Sequence, residues 1–363
     1  MRKPLLTKPE NPHFSSGPTK KPKEWDLKKI NKQFLGRYHR SSQVIDFMKN
    51  LLSEIKKTLS IPQNFEVILV PGSCTGAMES IIWSLLGENK ITSIIYDFWA
   101  DDWSKTINRL NYRQEIRKSL DGNMPSLENI DISNDLLFVF TGTSTGMSLT
   151  NLDWIPSNHK GLTICDATSA VFIYDLEWEK LDATAFSLQK ALGSEAQHGI
   201  IVLSPKAQKA LKEKKKINMI PKTLDLRNYK FPINTPSILC LQDFSFCLNW
   251  LQNKGGQEWS RLRTLENKRI IDKWIENSEK FEYFVKESFF RSLTPCYLVL
   301  RDEKSEHKLL KMLKYLENKG IAFDIKSYRK ANLGIRIWTG PTIIKKDLIS
   351  LINWLDWSFD NIN

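Results

Sequence analysis

The sequence predicts an α/β protein with a mostly parallel sheet, followed by a smaller C-terminal α+β domain. Short apolar runs, typical of strands buried on both faces, alternate with helical segments between residues 65 and 204. The pattern changes near residue 240, where long helical segments come first and separated strands follow. A chain of 363 residues also fits two domains, at roughly 150 residues per domain.

The first part of the chain carries the segments that would build the sheet. Strands are predicted at residues 65–71, 91–99, 135–146 (running into a polar loop), 161–172, 183–190 and 199–204. A helix is predicted from Ser42 to Leu59, because its apolar residues recur at helical spacing. A second helix follows the turn at Gly72 and ends at Gly87.

The C-terminal part has a different order of elements. One or two helices are predicted over residues 243–277, with a break at Gly255 and Gly256. They are followed by strands at 296–302, 321–328 and 334–340, by a helix from Ser305 to near Gly320, and by a helix from about Lys345 to Trp357. We therefore predict an extended N-terminal arm at 1–24, a large domain at 25–255 and a small domain at 256–363.

Composition argues against several classes of protein. No apolar run approaches the roughly 20 residues of a membrane span, and the N-terminus lacks the apolar core of a signal peptide. A cytoplasmic protein is therefore expected. The five cysteines show no metal-binding spacing, which disfavours a zinc site or a disulfide framework, and no metal is predicted.

The formal charge of +12 leaves two interpretations open. A basic protein can bind nucleic acid, or it can attract small anionic substrates. The densest basic run, LKEKKKIN at 211–218, is short and is typical of a solvated loop or helix face. Nucleic-acid binding is therefore the weaker interpretation.

Three features lie where open parallel sheets bind ligands, at the carboxyl ends of the predicted strands. Asp166 ends an apolar strand. It is either a turn residue or helix N-cap, or the partner of a buried cationic nitrogen. Lys190, in FSLQKALGSEAQHG, has no charged residue within four positions; it is either a surface lysine or a nucleophilic amine in an apolar pocket. The turn SCTGA at 73–77 precedes a helix and is either a tight turn or an anion site.

Together the three features predict a site for pyridoxal phosphate. That cofactor needs a lysine for its aldehyde, a carboxylate for its pyridine nitrogen and an anion site for its phosphate. The nucleotide-binding patterns GxxxxGK and GxGxxG are absent from the sequence. A hydrolase with a serine nucleophile is not expected.

Five spaced motifs give the sequence a resemblance to a known family. They are NPHFSSGP near the start, RYHRSS at 37–42, CDATSAVF at 165–172, SLQKALGSEAQHGIIVLS at 187–204 and INTPS at 233–237. They occur in the order seen in the phosphoserine aminotransferases, which are class V aminotransferases of fold type I. The resemblance extends from about Asn11 to Gly340 and is closest to a shorter-motif branch found in some bacteria and archaea. It implies a seven-stranded sheet, a pyridoxal 5′-phosphate cofactor and a homodimer with shared active sites.

The resemblance also implies roles for individual residues around the cofactor. Lys190 would bind the aldehyde as a Schiff base, and Asp166 would keep the pyridine nitrogen protonated. Trp103 would stack on the ring, and Thr143 would hydrogen-bond on the side of the ring hydroxyl. The phosphate would be held by the backbone amides of Cys74 and Thr75, by the Gln189 side chain, and by Asn234 and Thr235 reaching across from the other subunit.

On the substrate side, the resemblance implies that His39 and Arg40 bind the phosphate of phosphoserine. Arg336 would bind the α-carboxylate, a task suited to a guanidinium fork. Ser16 would line the same pocket. Arg329 stands where many members have histidine, and would be a further phosphate contact. The implied reaction converts L-glutamate and 3-phosphohydroxypyruvate into 2-oxoglutarate and O-phospho-L-serine, in serine biosynthesis and also in pyridoxine biosynthesis.

Two departures from the family pattern bear on substrate preference. Cys74 and Thr75 replace a common glycine–arginine pair, and Thr141 replaces a common asparagine. One rival is therefore another class V enzyme, either a serine–pyruvate aminotransferase or a cysteine desulfurase. The desulfurase needs a cysteine on a mobile loop, whereas Cys296 opens an apolar strand. The other rival is a catalytically inactive, basic nucleic-acid-binding protein, which would show no cofactor absorbance.

Overall fold

The computed structural model describes residues 6–214 and 219–362 of the chain. Within these ranges it contains eight α-helices and twelve β-strands. None of the helices described is both long enough and apolar enough to cross a bilayer. The same residues contain no group of three or more His, Cys, Asp or Glu side chains that could hold a metal ion.

The α-helices and strands alternate up to residue 118, and six further strands then precede the fourth α-helix. The helices are α1 (Ser42–Thr58), α2 (Ser73–Leu85), α3 (Phe98–Arg109), α4 (Pro205–Glu213), α5 (Ile238–Lys254), α6 (Gly256–Glu276), α7 (Glu306–Asn318) and α8 (Lys345–Asn361). The strands are β1 (Glu66–Pro71), β2 (Ile91–Ile95), β3 (Gln114–Lys118), β4 (Asp135–Val139), β5 (Thr141–Gly142), β6 (Met147–Ser148), β7 (Thr163–Asp166), β8 (Ala183–Ser187), β9 (His198–Leu203), β10 (Phe281–Tyr283), β11 (Cys296–Leu300) and β12 (Gly334–Ile337).

Seven strands form the central sheet, in the order β1-β9-β8-β7-β4-β2-β3. Strand β9 runs antiparallel to both of its neighbours, whereas the four pairs from β8 to β3 are parallel. The mostly parallel seven-stranded sheet is therefore confirmed. Strands β2, β4, β7, β8 and β9 are buried along their whole length, which explains why they form mostly apolar runs in the sequence.

Two helices cover the sheet and bring their N-termini to its carboxyl edge. Helix α2 packs on β8 and β9, and helix α3 packs on β2 and β4. The turn from β1 into α2 passes through Gly72, whose φ of 84° lies in the left-handed region that favours glycine. This tight turn places the first residues of α2 directly beyond the end of β1.

The C-terminal part forms a second, smaller sheet. Strands β10, β11 and β12 pair antiparallel in that order, and α7 and α8 pack against each other beside α6. The predicted break between two helices is confirmed, because α5 ends at Lys254 and α6 begins at Gly256. The domain limits 1–24, 25–255 and 256–363 stay a prediction.

The predicted strand at 321–328 is wrong. This segment makes only isolated bridges, from Phe323 to His13 and from Lys326 to Ile335, and Asp324 has a φ of 56° that interrupts an extended chain. The third strand of the small sheet is β10 instead. It is only three residues long and contains a glutamate, so its sequence gives little strand signal.

The N-terminal arm lies in a groove between the two sheets. Phe14 is buried, and its carbonyl accepts a hydrogen bond from the Trp338 amide at 3.0 Å. The Lys20 ammonium forms a buried ion pair with Asp347 of α8 at 3.1 Å. The Thr19 amide donates to the Gln189 carbonyl at 3.0 Å. The arm therefore connects residues beside the small sheet to the segment that follows β8.

The basic run at 211–218 is only partly described, because residues 215–218 lie outside the described ranges. Leu211 to Glu213 form the end of α4. Lys214 is not a solvated lysine: its ammonium donates to the carbonyls of Trp83 at 3.1 Å and Leu86 at 2.9 Å. Burial lowers the pKa of Lys214 to about 8.

Candidate active site

The parallel strands end at a common edge, and chemically useful side chains follow several of them. Asp97 comes two residues after β2, Thr143 follows β4, Asp166 ends β7 and Lys190 comes three residues after β8. Together with the start of α2 and the N-terminal arm they enclose a cavity of about 190 Å³. Its wall comprises Gly17, Ser73, Cys74, Thr75, Asp97, Trp99, Trp103, Val139, Thr141, Thr143, Asp166, Thr168, Ser169, Gln189 and Lys190.

Lys190 is a buried lysine, and no carboxylate among the described residues bonds to its amine. Its side chain is 9% exposed, and its Nζ donates a hydrogen bond to the carbonyl of Ser16. Nζ also lies 5.9 Å from the centre of the Trp338 ring. Burial lowers the pKa of Lys190 to about 7, and the positive charge of Arg336 adds to the effect. The amine is therefore largely available as a nucleophile near neutral pH.

Gly17 gives the Lys190 side chain its space. A Cβ atom at this position would collide with Nζ of Lys190, so even alanine would displace the amine. The glycine of FSSGP is therefore part of the lysine site. Ser16, before it, is buried, and its hydroxyl has no hydrogen-bond partner within the described residues.

Asp166 is oriented by two donors at the floor of the cavity. Oδ1 accepts from the Thr168 amide at 3.0 Å, and Oδ2 accepts from the indole Nε1 of Trp103 at 3.2 Å. Both Asp166 and Trp103 are buried, at 8% and 4% exposed. The carboxylate is thus fixed by a backbone amide and by the aromatic residue predicted to stack on the cofactor ring.

Thr143 lies across the cavity, where its hydroxyl hydrogen-bonds the hydroxyl of Ser169. Thr141 also lines the cavity, and its hydroxyl bonds Ser148 at 2.9 Å.

The segment GTSTG at 142–146 matches the GxSxG spacing of serine hydrolases. However, its Ser144 is buried, hydrogen-bonds Asp97, and lies between β5 and β6 instead of at a strand-to-helix turn.

Asp97 belongs to the site, although the sequence did not single it out. It is fully buried and accepts from the amides of Trp99 at 2.7 Å and Ser144 at 2.8 Å, and burial raises its pKa. The predicted strand at 91–99 concealed it, because β2 ends at Ile95 and Asp97 is the N-cap of α3. Its position just beyond an apolar strand is the same signal that identified Asp166.

The start of α2 forms the anion side of the cavity. The amides of Cys74 and Thr75 lie in the first turn, where backbone N–H groups have no intrahelical acceptor. Thr75 is exposed, whereas Cys74 is buried and burial keeps the pKa of its thiol well above the usual value. Gln189 lines the same wall, and its buried Oε1 lacks a hydrogen-bond partner within the described residues.

Arg336 is hydrogen-bonded to Thr143, a residue of the cavity wall. Its Nη1 donates to the Thr143 carbonyl at 3.1 Å, and its buried Nε has no acceptor within the described residues. The guanidinium is half-buried and lies 6.0 Å from the Tyr328 ring. It therefore retains hydrogen-bonding capacity for a carboxylate.

The remaining predicted residues do not line the cavity of this chain. His39 is half-buried beside the Tyr38 ring, and Arg40 is exposed and donates to the carbonyl of Pro232 at 3.0 Å. Asn234, Thr235 and Arg329 are exposed as well. The predicted site thus divides into an inner group that one chain brings together and an outer group on its surface.

The inner group fits pyridoxal phosphate. It contains a buried amine with a lowered pKa, a carboxylate fixed in the cavity floor and the amides of a helix N-terminus. Two buried side-chain oxygens of the cavity wall, Gln189 Oε1 and Thr168 Oγ1, have no hydrogen-bond partner within the described residues. Buried polar groups are rarely left unpaired, so these atoms indicate that the cavity receives a polar ligand.

Solved structures share this fold. The phosphoserine aminotransferase from Bacillus circulans subsp. alkalophilus has a TM-score of 0.83 at 16% identity, covering 97% of this chain and 99% of that one. The enzyme from Cytophaga hutchinsonii has a TM-score of 0.82 at 21% identity, covering 97% and 100%. The chain therefore has the fold of the fold type I enzymes, and its cavity fits pyridoxal phosphate.

Sequence relatives identify the family. The phosphoserine aminotransferase of Methanosarcina mazei is 36% identical over 364 residues, covering 97% of this chain and 98% of the relative. That of Methanosarcina barkeri is 34% identical with the same coverage. No family model matches the chain. The chain belongs to the phosphoserine aminotransferase family.

The rivals raised by the sequence are not favoured by these findings. Cys296 is buried in β11, burial raises the pKa of its thiol, and it accepts a hydrogen bond from Tyr283, so it is not the loop cysteine of a desulfurase. A noncatalytic nucleic-acid-binding protein has no need for the buried lysine and its fixed carboxylate.

Proposed function

We propose that the protein transfers the amino group between L-glutamate and 3-phosphohydroxypyruvate, giving 2-oxoglutarate and O-phospho-L-serine. The observation that carries this proposal is the buried Lys190 amine, which faces the cavity that also holds Asp166. The chain is in addition 36% identical to a phosphoserine aminotransferase. Serine biosynthesis, a further role in pyridoxine biosynthesis and a cytoplasmic location belong to the same proposal.

Lys190 is proposed as the catalytic residue. The cofactor, when bound, supplies an electron sink for the bond that breaks at the substrate's α-carbon. Nζ of Lys190 would hold the aldehyde of the cofactor and, as a free amine, would take the substrate's α-proton as a general base. The lowered pKa supports this role, because an amine protonated at pH 7 could not accept that proton.

Asp166 and Trp103 are proposed to hold the cofactor ring. The Asp166 carboxylate would favour the protonated form of the pyridine nitrogen, and the Trp103 ring would pack against the cofactor ring. The hydrogen bond between them supports a single preset geometry for both groups. Thr143 and Ser169 are available to the ring hydroxyl from the opposite wall.

The substrate's two anionic ends are proposed to meet two separate sets of cations. Arg336 takes the α-carboxylate, for which its unpaired Nε and its position beside Thr143 are suited. His39, Arg40 and Arg329 take the phosphate. Because these three are outside the cavity of the isolated chain, they require either a neighbouring subunit or movement on substrate binding.

We propose a homodimer in which Asn234 and Thr235 complete the partner's phosphate site. Their exposure supports this, and so does the exposed Thr75 at the open end of the cavity. The hydrogen bond from Arg40 to the Pro232 carbonyl ties the two outer loops together. The same interface would therefore bring both the cofactor-phosphate residues and Arg40 to a shared site.

The test compares keto acids that differ only in the phosphate. With glutamate as donor, 3-phosphohydroxypyruvate is expected to give a kcat/KM at least about a hundredfold above that of hydroxypyruvate, because a desolvated phosphate contact is worth several kcal/mol. Equal values would contradict the phosphate-binding role of His39, Arg40 and Arg329. They would favour an aminotransferase of the serine–pyruvate type.

A further inference from the structure

Tyr328 touches two arginines that the proposed function assigns to opposite ends of the substrate. Its ring centre lies 6.0 Å from the guanidinium carbon of Arg336 and 5.8 Å from that of Arg329. Guanidinium groups within about 6 Å of an aromatic ring centre are attracted to its face. One half-buried tyrosine therefore lies beside both predicted anion-binding groups.

The same ring is anchored to the large sheet's side of the cavity. It lies 5.8 Å from the Phe98 ring and 5.9 Å from the Trp99 ring, both at the start of α3. Trp99 lines the cavity and lies 6.4 Å from the Trp103 ring. An aromatic series thus extends from the predicted cofactor-stacking residue to Tyr328.

An ion pair fixes the loop that carries Tyr328. Lys330 Nζ contacts both carboxylate oxygens of Asp102 on α3, at 2.8 Å and 3.0 Å. The Tyr297 hydroxyl donates to the Asn332 carbonyl of the same loop. The Tyr328 backbone is therefore held from two sides, and its ring stays between α3 and β12.

We propose that Tyr328 is a positioning residue that presents Arg336 and Arg329 to a substrate carrying both a carboxylate and a phosphate. The proposal rests on the proposed function, since that function gives the two arginines their ligands. Tyr328 sets the direction of the two guanidinium groups by contact with its ring, and its hydroxyl is not required. It takes no part in binding the cofactor.

The test uses the holoprotein and 3-phosphoglycerate, an anion of the right size that has neither an amino nor a keto group to react. Tyr328→Leu removes the ring, and Tyr328→Phe keeps it. Calorimetry is expected to show about fivefold to tenfold weaker binding of 3-phosphoglycerate to the leucine variant, and unchanged binding to the phenylalanine variant. The KM for 3-phosphohydroxypyruvate is expected to rise by a similar factor, with kcat changed less than about twofold.

Cofactor affinity separates this role from a merely structural one. It is expected to be unchanged in the two variants, because the Tyr328 ring packs against Phe98 and Trp99 and not against Lys190 or Asp166. Equal affinity of wild type and leucine variant for 3-phosphoglycerate overturns the proposal, as does an equal loss in the phenylalanine variant or a parallel loss of cofactor. Failure of the wild type to bind this anion also overturns it. Failure of the proposed function would appear separately, as wild-type binding without turnover.

Discussion

The inner wall of the site and its outer rim differ in how the chain holds them. Asp166, Lys190, Trp103 and Thr143 are all at most 9% exposed and are tied to one another or to neighbouring backbone. Arg40, Asn234, Thr235 and Arg329 are exposed on loops. One chain therefore completes the part that fits the cofactor's ring and aldehyde, but not the rim proposed for the phosphates of cofactor and substrate.

The difference follows from where each group lies in the fold. The inner residues are at the ends of strands or in a helix packed on the sheet, so burial of the sheet fixes their positions. The outer residues are in loops whose geometry depends on further contacts. Changes to the inner wall should remove chemistry, whereas changes to the rim should weaken binding.

The largest expected effect comes from Lys190→Ala. Turnover should fall by about three to four orders of magnitude, because both the covalent anchor and the general base are lost. Steady-state kinetics with saturating cofactor measures this. Lys214→Ala is the matched control, since Lys214 is another lysine whose pKa is lowered by burial but lies outside the cavity. Comparable losses in both variants would contradict a special role for Lys190.

Asp166→Asn should have the next largest effect. An amide cannot balance a protonated pyridine nitrogen, so kcat should fall about 10²–10³-fold while the Trp103 contact can persist. Asp182→Asn is a suitable control, because Asp182 is a buried carboxylate just before β8, at the opposite edge of the sheet. The Asp182→Asn substitution should lower the thermal midpoint of unfolding and leave kcat nearly unchanged. If kcat fell in the Asp182 variant and not in the Asp166 variant, the catalytic role assigned to Asp166 would be contradicted.

The double variant Asn234→Ala, Thr235→Ala tests the rim. Cofactor affinity should fall about tenfold through lost hydrogen bonds to a phosphate, with kcat at saturating cofactor little changed. Mixing this variant with Lys190→Ala sharpens the test. If the residues act across the dimer, each mixed dimer regains one site in which Lys190 and both rim residues are intact. The activity is compared at limiting cofactor, where the rim variant alone is poorly loaded, and no recovery there after subunit exchange would contradict the shared site.

The smallest expected effect is a shift in the pH dependence of cofactor uptake. Lys190 must be neutral to react with the cofactor's aldehyde, so the rate of cofactor uptake by the cofactor-free protein should rise with pH and level off above about pH 7. Arg336→Gln removes a positive charge that lowers this pKa, so the midpoint should move to higher pH. Arg336→Lys keeps the charge and should keep the midpoint. Uptake that continues to rise toward pH 10 in the wild type would contradict a lowered pKa.

The sequence predicted the inner wall better than the rim for a physical reason. Asp166 and Lys190 follow apolar strands, and burial makes such strands visible as continuous runs. Strand β3, QEIRK, was missed because it is a half-exposed edge strand with charged residues. The segment at 321–328 has an apolar start but pairs in isolated bridges with the arm and with β12, a long-range arrangement that local pattern cannot reveal.

Tyr328 and Trp338 are residues near the site that local sequence pattern could not identify. Both lie far from Lys190 in sequence, and only the packing of the small sheet against the arm brings Trp338 within 5.9 Å of its amine. Asp97 was closer to being predictable, since it lies just beyond β2 as Asp166 lies at the end of β7. Residues placed by strand ends could be found from sequence, and residues placed by contact between the two sheets could not.

The central claim is that Lys190 binds pyridoxal phosphate covalently in a working transaminase, and the absorption spectrum tests it most directly. The purified protein, supplied with pyridoxal phosphate, is expected to show a visible band. L-Glutamate should bleach this band, and 3-phosphohydroxypyruvate should restore it. The Lys190→Ala variant should show only the spectrum of non-covalently bound cofactor. A wild-type protein that stays colourless after addition of pyridoxal phosphate, or a band that persists in Lys190→Ala, would contradict the account.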